Sequence, residues 1–240
     1  MKDQYVGDIN DYRKYGLLRE LAAGWRPTIC WMLTPGDGRG DGGRIDYLRD
    51  PQRWRACDPR LFDALRGLVI AREDRRVRAI EAAAILPGAR FHSLLLSDDS
   101  MQRARYFARL WARAHESELV FFDPDNGLEV RSCPYGGRGS ARYLYWREVA
   151  AAWARGLSVL IYQHFPRVSR GEYLERRAGE LLQCTGARRL YSFSTSHVVF
   201  FFLPQPRCAG RLARRLARIR QSWGEQIAIA EHGAGCARAR

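Results

Sequence analysis

The chain reads as an α/β protein with an open, mostly parallel sheet and helices on both faces. Three features of the sequence predict this. Unbroken apolar runs of strand length recur along the chain, helix-length segments with one apolar stripe separate them, and several runs empty into polar clusters. Strands that are apolar throughout belong to sheets covered on both faces, and strand–helix alternation is the pattern of parallel β-α-β units.

Residues 11–23 are predicted as an opening helix, with Tyr15, Leu17, Leu18, Leu21 and Ala22 apolar and Gly24 as its stop. The run 28–33 is a strand, and the glycine-rich 34–43 that follows must be loop. A helix is expected over 59–72, opened by Asp58 as N-cap, and a shorter one over 77–85. Strand 91–96 ends in Ser97-Asp98-Asp99-Ser100 and leads into helix 101–114. Strand 118–122 ends in Asp123-Pro124-Asp125-Asn126-Gly127, and the glycine-rich 134–139 reads as a mobile loop. Helix 146–155 precedes strand 157–162, which runs into Gln163-His164-Phe165. Helix 171–182 comes next, then strands 188–193 and 196–203 as an antiparallel C-terminal hairpin, then a basic helix over 207–223. No repeat or linker divides the chain, so 1–240 is expected to be one Rossmann-like α/β domain, with helices 11–23 and 207–223 as embellishments.

Composition narrows the function. Of 240 residues 46% are apolar, an ordinary globular fraction that excludes wholesale disorder. No run approaches the roughly 20 apolar residues of a membrane span, and the N-terminus lacks the pattern of a secretory signal. The six cysteines are scattered and contain no C-x-x-C pair, so they read as reduced thiols. These features together point to a cytoplasmic protein with no integral membrane association. The net charge of +14 predicts attraction for polyanions, nucleic acid first and an anionic membrane surface second. All of the 40 cations except Lys2 and Lys14 are arginines, which singles out Lys14 as a place where a compact ammonium is kept.

In open α/β sheets ligands bind beyond the carboxyl ends of the strands, where the strand order reverses. The polar clusters at 34–43, Asp98-Asp99, Asp123 to Asn126 and Gln163-His164 all fall at strand ends, which predicts one shared site. Gly36, Gly38 and Gly40 would let backbone approach a ligand closely, although a flexible surface turn has the same composition. Asp123 and Pro124 set a carboxylate and a carbonyl at the sheet's edge, two acceptors able to hold an exocyclic amine; the bland reading is an Asx-type turn.

A strand ending in an acid-proline pair resembles the Asp-Pro-Pro-Tyr signature of amino-group methyltransferases. The segment Gly7-Asp8-Ile9-Asn10-Asp11-Tyr12-Arg13-Lys14-Tyr15 is similar to the opening of the S-adenosylmethionine-dependent enzymes that methylate adenine N6 in bacterial large-subunit ribosomal RNA. The resemblance covers roughly residues 7–127 in order and spacing. It departs from the family where Asp125 and Asn126 replace the second proline and the aromatic, where Tyr15 replaces histidine, and where Leu33 replaces an acid.

The resemblance implies that Asp123 and Pro124 hold the amine, Asn126 orients the base, and Lys14 contacts a phosphate or the cofactor carboxylate. It implies a cofactor cradle of Gly36, Asp37, Gly38 and Gly40, with Asp98 near the adenine. Tyr135, Tyr162 or Phe165 would stack on a flipped base, His164 would join the substrate site, and Arg214, Arg215 and Arg218 would grip a nucleic-acid backbone, RNA or DNA. Two other readings use the same residues. Asp123, Asp125 and Glu129 could hold Mg²⁺ or Mn²⁺ for nuclease or phosphodiesterase chemistry, and the protein could be a non-catalytic nucleic-acid-binding accessory.

Overall fold

The structure is a computed structural model that describes residues 1–36 and 43–233. In chain order it runs α1 (Ile9–Leu21), β1 (Pro27–Cys30), α2 (Pro51–Trp54), α3 (Pro59–Arg66), α4 (Val77–Ala82), β2 (Arg90–His92), α5 (Ser100–Arg113), β3 (Leu119–Phe122), β4 (Gly127–Leu128), β5 (Tyr143–Leu144), α6 (Trp146–Ala154), β6 (Ser158–His164), α7 (Arg170–Thr185), β7 (Arg189–Ser194), β8 (Val198–Leu203), α8 (Ala209–Trp223) and β9 (Ala228–Gly233). Seven strands form one sheet in the order β2-β1-β3-β6-β8-β7-β9, and β4 and β5 form a separate parallel pair. The pairings β2–β1, β1–β3 and β3–β6 are parallel, whereas β6–β8, β8–β7 and β7–β9 are antiparallel. Five strands therefore run one way, and β8 and β9 the other.

The unbroken apolar strands feed two cores. On β3, Leu119 and Phe121 join one core, Val120 and Phe122 the other, and all four are fully buried. Side chains alternate across a strand, so a sheet with helices on both faces needs apolar residues at every position. The first core packs α1, α3, α4 and α8 against the sheet; the second packs α5, α6 and α7. Among the described residues no helix is long and apolar enough to cross a membrane. Cys30, Cys57, Cys133, Cys184 and Cys208 are free thiols.

Two contacts fix α1, which carries much of the site. Asp8 caps it, its Oδ1 accepting the backbone N–H groups of Asn10 and Asp11 at 2.8 Å each, so the helix begins two residues before the expected Asp11. Gly16 faces α8 so closely that a Cβ there would lie 2.0 Å from Cζ2 of Trp223. No larger residue allows that approach.

The differences from expectation have local causes. The run 28–33 ends as strand at Cys30, because Met32 adopts a left-handed φ of 47° that breaks the ladder; only Leu33 makes a further bridge, to Leu95. The run 91–96 yields only β2 at the sheet edge, with Leu94 and Leu95 exposed. The helix expected over 59–72 is α-helical to Arg66 and continues as a π turn over Gly67–Ala71. The strand β9 was not anticipated. The stretch 134–139, expected to be mobile, is tied down by Asp98, whose carboxylate accepts N–H groups of Gly139 and Ala141 at 2.7 Å each.

Candidate functional site

A cavity of about 410 Å³ opens at the carboxyl ends of β1, β3 and β6, lined by residues of the N-terminal segment and α1, by Asp123 to Asp125 after β3, and by Tyr162, His164 and Phe165 at the end of β6. The chain passes from β1 to β2 on one side and then returns to place β3 on the other, so the cavity sits where the strand order reverses.

Its floor is an ionic cluster. Lys14 Nζ donates to Asp11 Oδ1 at 2.6 Å and to Asp123 Oδ2 at 2.7 Å, and Lys14 and Asp123 are each 2% exposed. Asp11 Oδ2 also accepts from the Tyr15 hydroxyl at 2.9 Å and the Gly7 N–H at 3.0 Å. The rings of Tyr15, Trp31 and Tyr162 surround the ammonium at 5.2–6.0 Å, a cation–π arrangement worth most where water is excluded. Burial works to lower the Lys14 pKa, but the carboxylates of Asp11 and Asp123 outweigh it and the pKa is raised, so the ammonium stays charged. Burial pushes the Asp123 carboxyl above its ordinary value, with Lys14 pulling the other way.

Above this floor lie groups with unspent capacity. Burial, followed by the neighbouring Asp11 charge, raises the Asp8 pKa to about 7. Asn10, 7% exposed, carries a buried Oδ1 with no hydrogen-bond partner. Buried polar atoms are nearly always satisfied, so an orphan acceptor in a cavity wall is a place for a ligand's N–H or O–H. Asp125 accepts from Thr34 Oγ1 at 2.5 Å and faces the Met1 amine at 2.7 Å. That amine also donates to the Asp123 carbonyl at 3.0 Å and the Met32 carbonyl at 3.2 Å. His164 Nε2 lies 3.2 Å from the Tyr162 hydroxyl, and desolvation, with Lys14 second, lowers its pKa to about 4. The imidazole is therefore neutral at pH 7.

The expected site residues divide. Lys14, Asp123, Pro124, Tyr162, His164 and Phe165 line the one cavity. Lys14, however, directs its charge inward to Asp11 and Asp123 rather than to a phosphate or a cofactor carboxylate. Asn126 is turned to the surface, with its backbone N–H on the Arg142 carbonyl and its own carbonyl accepting from Gln163. Asp98 does not face the cavity. Its oxygens cap the 139–141 backbone, and those N–H bonds outweigh burial and hold its pKa below the usual carboxylate range. Gly36 is exposed at the start of its loop, and Asp37, Gly38 and Gly40 lie outside the described residues.

Tyr135 packs edge-on against Tyr145 with Arg147 over its face, away from the cavity. On α8, Arg215 is buried against the Trp25 ring at 3.7 Å and donates to the Ala23 carbonyl, and Arg218 pairs with Glu20 at 2.9 Å. Of the three arginines expected to grip a nucleic acid only Arg214 is without such a contact among the described residues. Glu129 accepts the Trp146 N–H at 2.8 Å and lines a separate groove with Arg131 and Arg177. The metal set Asp123, Asp125 and Glu129 is thus split, and no group of three His, Cys, Asp or Glu side chains suited to a metal occurs among the described residues.

Asp8, Asn10 and Asp11 carry the chemistry that was not assigned a role from sequence. The signal was present in the segment Gly7 to Tyr15: polar residues at the start of a helix whose next turn is apolar.

No family model matches the chain, and no curated protein matches it. Among solved structures it is similar to protein LPL1258 from Legionella pneumophila str. Philadelphia 1, of the family model DUF519. That similarity has 9% sequence identity and a TM-score of 0.47, and it covers 96% of this chain and 98% of that one.

Proposed function

We propose that the protein is an S-adenosylmethionine-dependent methyltransferase of Rossmann-like architecture acting on an amino group of a nucleic-acid base. One observation carries the reading: the acid-proline pair Asp123-Pro124 ends a central strand at the switch point, in the same cavity as the Asp8 to Lys14 segment that opens the chain's first helix. The residues present suit the cofactor. The cavity of about 410 Å³ falls within the ≈ 300–1,000 Å³ of small-molecule sites. The orphan Asn10 Oδ1 in the cavity wall would accept a polar hydrogen of the cofactor.

When bound, the cofactor supplies an electrophilic sulfonium methyl, so the protein's task is to position the amine and exclude water. The Pro124 carbonyl and the Asp125 carboxylate would hold the amine's N–H groups. Asp123, fixed by Lys14, would set the position of that pair without itself being free to move. Asp8 Oδ1 is occupied by two backbone N–H groups, leaving Oδ2 as the atom able to take the proton the amine loses. A base whose pKa lies near the operating pH is well matched to that task. Tyr162 and Phe165 supply aromatic faces for a flipped base in place of the missing motif aromatic. The split of Glu129 from Asp123 and Asp125 gives the metal-dependent reading no comparable support.

Isothermal titration with S-adenosylmethionine tests the reading. Micromolar-range binding that Asn10→Ala weakens at least tenfold, together with methyl incorporation into RNA or DNA that Asp8→Asn slows, is expected. Absence of cofactor binding by the intact protein overturns it.

A further inference from the structure

The cavity's rim has a different character from its acidic floor. Arg44 and His197 line it beside Phe165. The Arg44 carbonyl accepts the Ile9 N–H at 3.1 Å, which holds that residue against the start of α1. Arg170, the first residue of α7, lies 5.4 Å from the centroid of Phe165 and donates to the Ser196 carbonyl at 2.5 Å, one residue from His197. Arg13 precedes Lys14 on α1, lies 5.5 Å from the Trp54 centroid and gives one hydrogen bond to Gln226 Oε1, while its buried Nε has no acceptor. Arg44, His197 and Phe165 share the cavity lining, and the bond from Arg170 to Ser196 sets its guanidinium beside the same turn. Arg13 is buried outside the cavity lining; burial lowers its pKa, and the Asp8 charge is the largest influence opposing that. Among the described residues Arg44 forms no ion pair, and both Arg44 and Arg170 are exposed.

We infer that Arg44 and Arg170, with His197, form a clamp for the phosphodiester flanking the acceptor base, at the mouth of the cavity rather than on the C-terminal helix. The inference rests on the methyl-transfer reading for the identity of the base, and the clamp supplies what Lys14 and the α8 arginines do not. Guanidinium groups suit phosphate oxygens because their N–H donors match them in pairs. Arg44 and Arg170 are exposed and form no ion pair among the described residues, so a bound anion meets unneutralised charge there. Phe165 beneath Arg170 keeps that guanidinium plane oriented, so less freedom is lost when the phosphate docks. A single strand is the form that fits, because a base must leave its stack to enter the cavity.

The test is binding of a short single-stranded oligoadenylate, followed by fluorescence anisotropy across a potassium chloride series. For single strands log K falls with log salt by about 0.7 per neutralised phosphate. The double variant Arg44→Gln/Arg170→Gln should flatten that slope by about 0.7, the share of one phosphate, whereas Arg214→Gln on α8 should leave it unchanged. Both altered residues are exposed, and an unchanged melting temperature verifies the fold. Titration of the same double variant with S-adenosylmethionine is expected to match the wild type. An unchanged salt slope, or no oligoadenylate binding by the wild type, overturns the clamp. A variant that loses cofactor affinity while keeping the slope also overturns it, since the arginines would then serve the cofactor's carboxylate. Failure of the methyl-transfer reading shows separately, as absence of cofactor binding with the arginine-dependent slope intact.

Discussion

Replacing Lys14 with methionine keeps an unbranched apolar stem of nearly the same length and removes the ammonium, with its charge and its two hydrogen bonds. At separations of 2.6 and 2.7 Å, and an effective dielectric of about 20, each carboxylate attracts the ammonium by roughly 6 kcal/mol. Desolvation of the three ions, several kcal/mol each, offsets most of this, and removing one partner of a buried pair typically costs about 3–5 kcal/mol. For a chain of this size, at about 2–4 °C per kcal/mol, the melting temperature should fall by roughly 6–20 °C. The loss should also depend on pH. Burial already raises the folded-state pKa of Asp123, and without Lys14 it rises further. A carboxyl with a raised folded pKa contributes stability below its unfolded pKa and loses it as pH rises through the folded value, so the variant's deficit should be larger at pH 8 than at pH 5. Urea titrations at both pH values, with Lys14→Met/Asp123→Asn as a partner variant that recovers part of the loss, measure this. A melting temperature within about 2 °C of wild type at both pH values would refute the buried cluster.

Three further outcomes follow from the same geometry. Asp8→Asn keeps the Oδ1 cap but removes a carboxyl whose pKa is raised to about 7, so it should gain stability over wild type, on the order of 2–4 kcal/mol, at pH 8 and little at pH 4; His92 and His164, lowered to about 4, act in the opposite direction in both proteins and cancel in the difference between their urea curves. Gly16→Ala should destabilise by about 1–3 kcal/mol in chemical denaturation despite alanine's better helix propensity, because the new Cβ meets the Trp223 indole at 2.0 Å. Asp98→Ala should release the 134–142 segment, read as new protease cleavage there and about 1–3 kcal/mol of lost stability, while cofactor titration remains unchanged.

Periodicity made the alternating helices and strands legible because both depend on local side-chain pattern. The run 119–122 is apolar at every position because both faces of β3 are covered, and that much needs no tertiary information. The strand ends carrying Asp123 and His164 were readable for the same reason, and they do meet in one cavity. What was not readable depended on partners distant in sequence. Nothing near Asp98 in the chain indicates that the backbone of 139–141 will claim its oxygens, and nothing in the α8 pattern separates Arg215, drawn onto Trp25, from Arg214 beside it. Lys14 was singled out by being one of two lysines, but its role turned on Asp123, 109 residues away. The edge strand β9 escaped because it carries no alternation: His232 is buried, but Ala228 and Ala230 on the same face are exposed, as is Glu231 on the other, too weak a pattern to distinguish from loop.

The contact between Gly16 and Trp223 ties the first helix to the last. A nascent chain leaves the ribosome N-terminus first, so Asp8, Asn10, Asp11 and Lys14 emerge long before the indole against which their helix is seated. Until α8 has been synthesised that helix lacks one of the surfaces it packs against, and a product truncated before Trp223 would carry every polar group of the cavity on a helix bared along its Gly16 side.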